Sequence, residues 1–212
     1  MITRRNIIDQ IRRIVYNGVP PDSAMITVNL VALYLNEGIA LAAKQAFADS
    51  YQIDQVGDVP GAFYMTFSPF TLSHDANTGY YSFGIPKMPL SLPEGKDISN
   101  VFIISGSKRK TECSRINTRD LQLMFEVPLD TSEVYYWTEG MTAFLWSKID
   151  ITGYTAYIRM PYAEGDSLDD AINCPPDMIP SVIDFTMKVM NIQIHNPNPT
   201  QNENIEKSNI IA

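Results

Sequence analysis

The sequence predicts an α+β protein in which an N-terminal helical hairpin and a C-terminal helix pack together beside a β-rich middle. Three observations predict this class. Apolar residues recur at helical spacing within 1–50, short β-prone runs separated by turn residues fill 51–174, and helical spacing returns over 175–195. The middle is expected to form an antiparallel sheet or a small sandwich. Residues 196–212 contain five asparagines and two prolines and are expected to form a flexible tail.

The helical hairpin is predicted from the first 50 residues. A first helix over about residues 3–17 is stopped by Gly18–Pro21, and Asp22 or Ser23 is expected to cap a second helix that continues to about residue 48. Of the 19 residues from Met25 to Ala43, 14 are apolar, so this helix is expected to be covered by the first helix, the last helix and a neighbouring subunit. Gly38 costs about 1 kcal/mol relative to alanine, and it indicates a kink or a close helix crossing.

The β-rich middle is predicted from compact apolar and aromatic runs bounded by turn residues, with Cys113 on one further strand. A short helix, Arg119–Phe125 with Thr118 as its cap, is expected between the strands. The last helix is expected to start near Pro176 and to end before Pro197. The predicted strands are Ala62–Phe67, Tyr80–Gly84, Val101–Ser105, Val134–Glu139, Thr142–Ser147 and Thr155–Met160.

The charge of the chain is unevenly distributed. The net charge is −8, but residues 1–21 carry +3 and the remainder −11. A basic end on an acidic body suits head-to-tail packing or docking on an acidic partner, whereas general nucleic-acid binding requires a basic domain. The arginines of the first helix are therefore candidate partner-binding residues, with a solvated helix face as the alternative: Arg4, Arg5, Arg12 and Arg13.

A second basic cluster lies in the predicted turn after the third strand. Lys108, Arg109 and Lys110 are consecutive there, with Arg115 and Arg119 nearby. A solvated turn, a site for an acidic protein partner and a contact with nucleic-acid phosphates are the three interpretations. No aromatic residue interleaves the cluster, so a platform for base stacking is not supported.

The sequence offers little catalytic chemistry. His74 and His195 are the two histidines, and neither Cys113 nor Cys174 lies in a metal-binding spacing. The serine-hydrolase elbow and the phosphate-binding loop motifs are both absent from the sequence. We therefore expect no catalytic residue, no bound metal and no cofactor.

Two interpretations from other functional classes stay open. One is a small non-catalytic binding module of an accessory protein, with an aromatic groove formed by Tyr135, Tyr136, Trp137 and Trp146, although alternating strand aromatics usually pack in a sheet core. The other is a metal-dependent hydrolase that uses the acidic loop, whose spacing differs from that of an EF-hand and is also typical of a solvated loop: Glu164, Asp166, Asp169 and Asp170.

No segment is predicted to enter a membrane. The run Met25–Ala43 has the length of a spanning helix, but Asn29, Asn36 and Glu37 interrupt it. The first residues carry charges without an apolar run of signal-peptide length behind them. Synthesis in the cytoplasm is therefore expected.

The opening of the chain resembles that of head-to-tail connector proteins of tailed bacteriophages. It reads Arg4-Arg5-Asn6-Ile7-Ile8 through Pro20-Pro21-Asp22-Ser23 to Leu33-Tyr34-Leu35-Asn36-Glu37. The whole chain, with its β-rich middle, its late Pro175-Pro176-Asp177-Met178-Ile179-Pro180 and its Asn-rich tail, looks most like the ring proteins of crAss-like phages. Many connectors of other phages are mostly helical, and the middle of this chain departs from that pattern.

The resemblance implies a non-enzymatic protomer of a closed ring, twelvefold in most such connectors, that lies beneath the portal and lets DNA pass. It implies location in the virion, with copies of the chain, the portal and other ring or tail proteins as partners and only non-specific contact with the passing DNA. The candidate subunit-interface residues are Leu30, Leu33, Tyr34, Ile210 and Ile211.

Overall fold

The computed structural model describes residues 2–22, 24–55, 57–93, 96–117, 120, 133–165 and 167–195. The chain divides into a helical unit, residues 1–63 with 163–212, and a sheet unit, residues 64–162. The predicted α+β class is confirmed. The helical unit is larger than the sequence indicates, because 51–63 and 163–174 belong to it. Several predictions fall outside the described residues. They concern the short helix Arg119–Phe125 with its cap Thr118, of which only Asp120 is described, the tail with Ile210 and Ile211, and the residues Ser23 and Asp166.

Three helices are described in the helical unit: α1 Arg4–Val15, α2 Val28–Asp54 and α3 Ile179–His195. The prediction that α2 is capped at residue 22 or 23 is wrong, since α2 begins at Val28 and the Thr27 hydroxyl accepts the amide of Leu30 at 3.2 Å. Ile26, just before the Thr27 cap, is held by contacts with side chains of α1 and of the residue that follows α1. The Ile26 amide donates to the Tyr16 hydroxyl at 2.8 Å, and Arg12 Nε donates to the Ile26 carbonyl at 3.2 Å.

Of the two outcomes expected at Gly38, a kink or a close helix crossing, the structure shows a close crossing of α2 and α3. A Cβ atom at Gly38 would lie 2.9 Å from the Val182 carbonyl oxygen and closer still to the Thr186 hydroxyl. Thr186 is fully buried, and its hydroxyl donates to the Val182 carbonyl at 2.7 Å. Only glycine lets the two backbones approach this closely.

One side of α2 is buried and the other is open. Its buried side contains Val31, Leu35 and Ile39, all with no exposed surface, and both α1 and α3 pack against the helix. Leu33 is 60% exposed and Leu41 is 38% exposed. Helical cover from within the chain is therefore confirmed for one side only, and cover by a neighbouring subunit stays a prediction. None of the helices among the described residues is long and apolar enough to cross a membrane.

The sheet unit contains eight described strands in one mixed sheet, ordered β1-β8-β4-β5-β6-β7-β3-β2. β6 and β7 have the predicted bounds, and the other predicted strands are present within a few residues of theirs. The expected antiparallel sheet or small sandwich is found as one mixed sheet, in which β5 and β6 run parallel through Cys113↔Val134 and the other described pairs are antiparallel. The eight strands are β1 Tyr64–Thr71, β2 Ser73–His74, β3 Tyr81–Gly84, β4 Asn100–Ile104, β5 Lys110–Arg115, β6 Val134–Glu139, β7 Thr142–Ser147 and β8 Thr155–Pro161.

The sheet curls so that residues 64–74 join its two ends. β1 pairs with β8 from Tyr64↔Pro161 onward, and β2 continues the same segment and pairs with β3 through Ser73↔Ser82. The apolar core of the unit includes residues of β3, β4, β5, β6, β7 and β8. Strand alternation places Val101 and Ile103 of β4 in this core, with no exposed surface, and leaves Phe102 between them on the other face.

A carboxylate at the edge of this core is strongly stabilised as the anion. Hydrogen bonds from the Thr152 hydroxyl and amide and from the Tyr81 hydroxyl lower the pKa of Asp150 to about 2. The Thr152 amide and the Tyr81 hydroxyl each donate to Asp150 Oδ1 at 2.8 Å. The carboxylate therefore ties the turn after β7 to β3.

Candidate functional site

The four arginines of α1 have different roles in the structure. Arg4 is only 4% exposed, and its guanidinium donates to the Ala163 carbonyl at 2.9 Å and to the Asn36 side-chain oxygen. A Cβ atom at Gly165 would lie 2.5 Å from Arg4 Cδ, so the returning chain passes close to this side chain. Arg4 joins α1, α2 and the segment before α3. Its predicted role as a partner-binding residue is therefore wrong, because a partner cannot reach it.

The other three arginines lie at the surface. Arg5 Nε pairs with Asp169 Oδ1 at 2.8 Å, and this contact lowers the pKa of Asp169. The two side chains are 51% and 73% exposed, so the pair contributes little to stability. Arg12 is half-buried and holds the Ile26 carbonyl, while Arg13 is exposed in the last turn of α1. Of the four arginines of α1, only Arg5, Arg12 and Arg13 therefore contribute positive charge to the surface.

The open side of α2 carries several exposed or half-buried apolar side chains, interrupted by one charge of each sign. Residues spaced by three, four and seven positions share one side of a helix, and this spacing groups the exposed and half-buried residues of α2. The interface prediction for Leu30, Leu33 and Tyr34 falls on this side, although the contact itself stays a prediction. We call this set the α2 stripe: Leu30, Leu33, Tyr34, Glu37, Leu41 and Lys44.

The basic turn Lys108–Lys110 connects β4 to β5. All three residues are exposed, and Lys108 adopts the left-handed conformation with φ 62°. Lys110 Nζ pairs with Glu112 Oε1 at 2.9 Å, which leaves Lys108 and Arg109 at the tip of the turn. The turn can therefore present cationic groups to an acidic surface or to phosphates.

Aromatic residues flank this turn in space, although none does so in sequence. Lys110 Nζ lies 4.5 Å from the centre of the Phe102 ring, and that ring stacks on Tyr157 at 4.9 Å. Lys110 and Tyr157 approach Phe102 from opposite sides, because β4 lies between β5 and β8. Both sides of the ring are occupied, so this arrangement holds the ammonium group and offers no platform for bases. Phe102, Lys110 and Tyr157 lie on the same face of neighbouring strands, so strand alternation together with the pairing of β4 with β5 and β8 would have predicted these contacts.

The aromatic residues of β6 and β7 do not form a single groove. Tyr136 belongs to the core of the sheet unit, and burial raises its pKa to about 12. Tyr135 and Trp137 lie on the other face, where Trp137 stacks on Phe144 at 5.4 Å and Tyr135 packs near Trp146 at 6.2 Å. These ring contacts pack the side chains against one another within the sheet.

The cysteines, His74 and the acidic loop, which sequence reasoning considered for catalysis or metal binding, make packing contacts or local hydrogen bonds. Cys113 and Cys174 are free and buried, and burial raises the pKa of each thiol to about 12. His74 packs against the Tyr81 ring at 4.6 Å. In the acidic loop, Asp170 Oδ2 accepts the Ser167 amide at 2.7 Å. Within the described residues, no group of three or more histidine, cysteine or carboxylate side chains is placed to hold a metal ion.

No protein-family model matches the chain, and no curated protein matches its sequence. Among the described residues, the surfaces considered as functional candidates are the exposed arginines of α1, the α2 stripe, and the basic turn of the sheet unit.

Proposed function

We propose that this chain is a non-enzymatic structural subunit that assembles with copies of itself into a ring of the portal–tail connector of a tailed bacteriophage. The ring would join head to tail and let DNA pass. The virion is the proposed location, and the portal and neighbouring ring or tail proteins are the proposed partners. The α2 stripe is the observation that carries the proposal.

The α2 stripe favours assembly because it leaves large apolar side chains in water. Leu33 and Leu41 are 60% and 38% exposed on the same side of one helix, next to the half-buried Leu30 and Tyr34. Exposed apolar side chains grouped on one side of a helix commonly mark a protein interface. A ring uses a heterologous interface, in which one surface of each copy contacts a different surface of the next.

The chemistry of the described residues supports a structural role. The two thiols are buried, and their raised pKa keeps them protonated at neutral pH, so neither is an activated nucleophile. His74 packs against an aromatic ring instead of pairing with either thiol in the described contacts. These residues are engaged in packing rather than in a reactive arrangement.

Charged surfaces suit attachment of the ring to its neighbours. Arg5 and Arg13 of α1 and the basic turn Lys108–Lys110 are exposed. An exposed ion pair contributes about 0–1 kcal/mol. Repetition around a ring multiplies such contacts, so attachment should weaken with salt and should require several basic residues together.

Electron microscopy of virions, with the density of this chain traced, tests the proposal. We expect a ring on the axis between portal and tail. A position away from that axis, or absence of the chain from the particle, would contradict the connector function.

A mutant pair tests the interface that carries the proposal. Leu33→Asp should prevent ring formation, whereas Ile53→Asp should leave it intact. Ile53 is 85% exposed near the end of the same helix but does not belong to the α2 stripe. Equal oligomer masses for the two variants would show that the α2 stripe is not the interface.

A further inference from the structure

We propose that a pocket of the sheet unit binds a peptide segment of a partner protein, taking an aliphatic side chain together with the peptide bond beside it. Residues 88–92 and the turn between β6 and β7 contribute to its walls, and its volume is about 420 Å³. Ligand pockets span about 300–1,000 Å³, so this volume suits one or two residues of a peptide better than a large cofactor. The pocket does not depend on the α2 stripe and can act whether or not the chain forms a ring.

Apolar side chains form much of the pocket lining. Met88 is 76% exposed and Met141 is 41% exposed, whereas Leu92 is buried. Methionine side chains are flexible and unbranched, so the two exposed methionines can adjust to the shape of an entering side chain. The pocket therefore offers a ligand an apolar surface with adaptable walls.

An ion pair supplies the polar part of the pocket. Arg115 Nη1 lies 3.0 Å from Asp97 Oδ1, and the two side chains are 35% and 28% exposed. A guanidinium has five N–H donors and a carboxylate has two oxygens, so each group can contact a ligand as well as its partner. The pair thus presents a donor beside an acceptor. A peptide bond carries the complementary groups, a carbonyl that accepts and an amide that donates.

The charges of the pocket favour a neutral ligand. Arg115 and Asp97 compensate each other, and the other described residues that line the pocket are uncharged. A carboxylate or phosphate would be attracted by Arg115 and repelled by Asp97 at similar distances. A peptide bond has no net charge and meets no such repulsion. Charge complementarity therefore favours a peptide group over an anion.

Backbone hydrogen bonds hold one wall of the pocket in place. The Ile85 amide donates to the Met141 carbonyl at 2.8 Å, and the Leu90 amide donates to the Pro161 carbonyl at 3.0 Å. The two bonds anchor the chain on both sides of Met88. A wall that is already ordered loses little conformational entropy when a ligand binds.

Methyl NMR of the full chain labelled with [methyl-¹³C]methionine tests the proposal. The probe is N-acetyl-L-leucine methylamide, which has an aliphatic side chain between two peptide bonds. Met88→Leu and Met141→Leu assign the two methyl signals by their loss. We expect both signals to shift along one saturation curve with a dissociation constant on the order of 1 mM, as is usual for so small a ligand. The signals of methionines outside the pocket should stay in place.

Two matched compounds separate recognition of a peptide from simple apolar binding. Isohexyl alcohol has the aliphatic group without a peptide bond, and N-acetylglycine methylamide has the peptide bonds without the aliphatic group. Each should bind more weakly than the leucine probe, because each lacks one of the two parts that the pocket is expected to contact. Titrations followed at the same two methyl signals measure the three affinities.

A charge variant tests the ion pair. In the wild type, N-acetyl-L-leucine, whose carboxylate replaces the methylamide, should bind more weakly than the neutral probe. Asp97→Asn removes the charge that compensates Arg115, so affinity for the carboxylate should rise on the order of tenfold and the order should reverse. Glu112→Gln is the matched control, because it makes the same change of acid to amide in the Lys110–Glu112 pair, which does not line the pocket. That variant should keep the wild-type order.

Each result supports or overturns one part of the proposal. Signals of Met88 and Met141 that stay in place at every concentration of the leucine probe would overturn the site. Affinity for isohexyl alcohol or N-acetylglycine methylamide equal to that for the leucine probe would overturn the peptide as its ligand. An Asp97→Asn variant that keeps the wild-type order would overturn the role of the ion pair. The ring function is tested separately, by the position of the chain in the virion.

Discussion

Replacement of Gly38 with alanine should destabilise the helical unit, although alanine is the better helix former. The helix-propensity gain is about 1 kcal/mol. Against it, the new Cβ atom would lie 2.9 Å from the Val182 carbonyl oxygen and 3.1 Å from the Thr186 amide nitrogen. These are backbone atoms of α3, so the overlap is relieved only if the two helices separate.

The expected size of the effect follows from these contacts. Overpacking of a core costs about 1–3 kcal/mol, and Gly38 should fall at the upper end because the neighbouring atoms are backbone. Displacement of the Thr186 hydroxyl also weakens its hydrogen bond to Val182, a contact of about 1 kcal/mol. After the propensity gain is subtracted, we expect a net loss of about 2–3 kcal/mol in the free energy of unfolding.

Urea denaturation followed by circular dichroism at 222 nm measures this loss, since the signal reports mainly on the helices. Gly84→Ala is the control, because no atom lies within 4 Å of the position of its Cβ and its backbone φ is ordinary. That variant should change stability by less than about 0.5 kcal/mol. A Gly38→Ala variant that is more stable than the wild type would refute the close crossing of α2 and α3.

Three other predictions concern burial and charge. Leu35→Asp buries an unpaired carboxylate at a position with no exposed surface and should lower the free energy of unfolding by several kcal/mol. Leu33→Asp should leave the melting temperature of the unassembled chain nearly unchanged, because Leu33 is 60% exposed. Circular dichroism at a concentration too low for self-association distinguishes the two variants, and equal melting would contradict the assignment of the two sides of α2. Cys113 and Cys174 should react with a thiol reagent at pH 8 far more slowly in the native protein than in urea, because burial raises each pKa to about 12; equal rates would show that the thiols are accessible. The pKa of Asp150 is about 2 in the folded protein, below its unfolded value, so its contribution to stability is complete above about pH 4 and is lost as pH falls towards 2. Asp150→Asn should therefore show a shallower fall of melting temperature over that range, and an unchanged slope would contradict this role.

Local patterns predicted some elements well, because everything that defines them is close in sequence. β6 and β7 are separated by Gly140-Met141, and Gly140 adopts the positive φ of 57° that a tight turn favours. Gly38 is another local signal, since a glycine within an apolar helix indicates close packing. Such features depend little on the rest of the fold.

The start of α2 depended on contacts that the local pattern does not contain. Residues 22–27 offer several capping side chains, and Thr27 is selected because Tyr16 and Arg12 hold Ile26 in place. The parallel pairing of β5 with β6 likewise joins strands separated by residues 116–133. A single sequence gives no direct sign of either contact.

The candidate site was predicted only in part, because the environment of its residues also depends on contacts with distant parts of the chain. Arg4 belongs to the same basic pattern as Arg5 and Arg13, but its guanidinium binds the Ala163 carbonyl, which lies 159 positions away. The apolar content of α2 predicted several covering partners, but composition does not specify which side of the helix the chain itself covers. Leu33 and Leu35, two positions apart, have opposite environments.

The sheet unit is an insertion within the helical unit, and this affects the order in which the chain can fold during synthesis. The chain enters the sheet unit at Tyr64 and leaves after Tyr162, and Tyr64↔Pro161 is the first pair of its ladder, so the two connections are adjacent. α1 and α2 leave the ribosome first, yet the close crossing at Gly38 forms only when α3 follows about 125 residues later, roughly 6–25 s at ordinary rates of synthesis. During that interval the buried side of α2 has no α3 to cover it, while the sheet unit can complete all its strand pairs. Because its ends lie side by side, the insertion can also change in length or content between related chains without moving the points at which the helices connect.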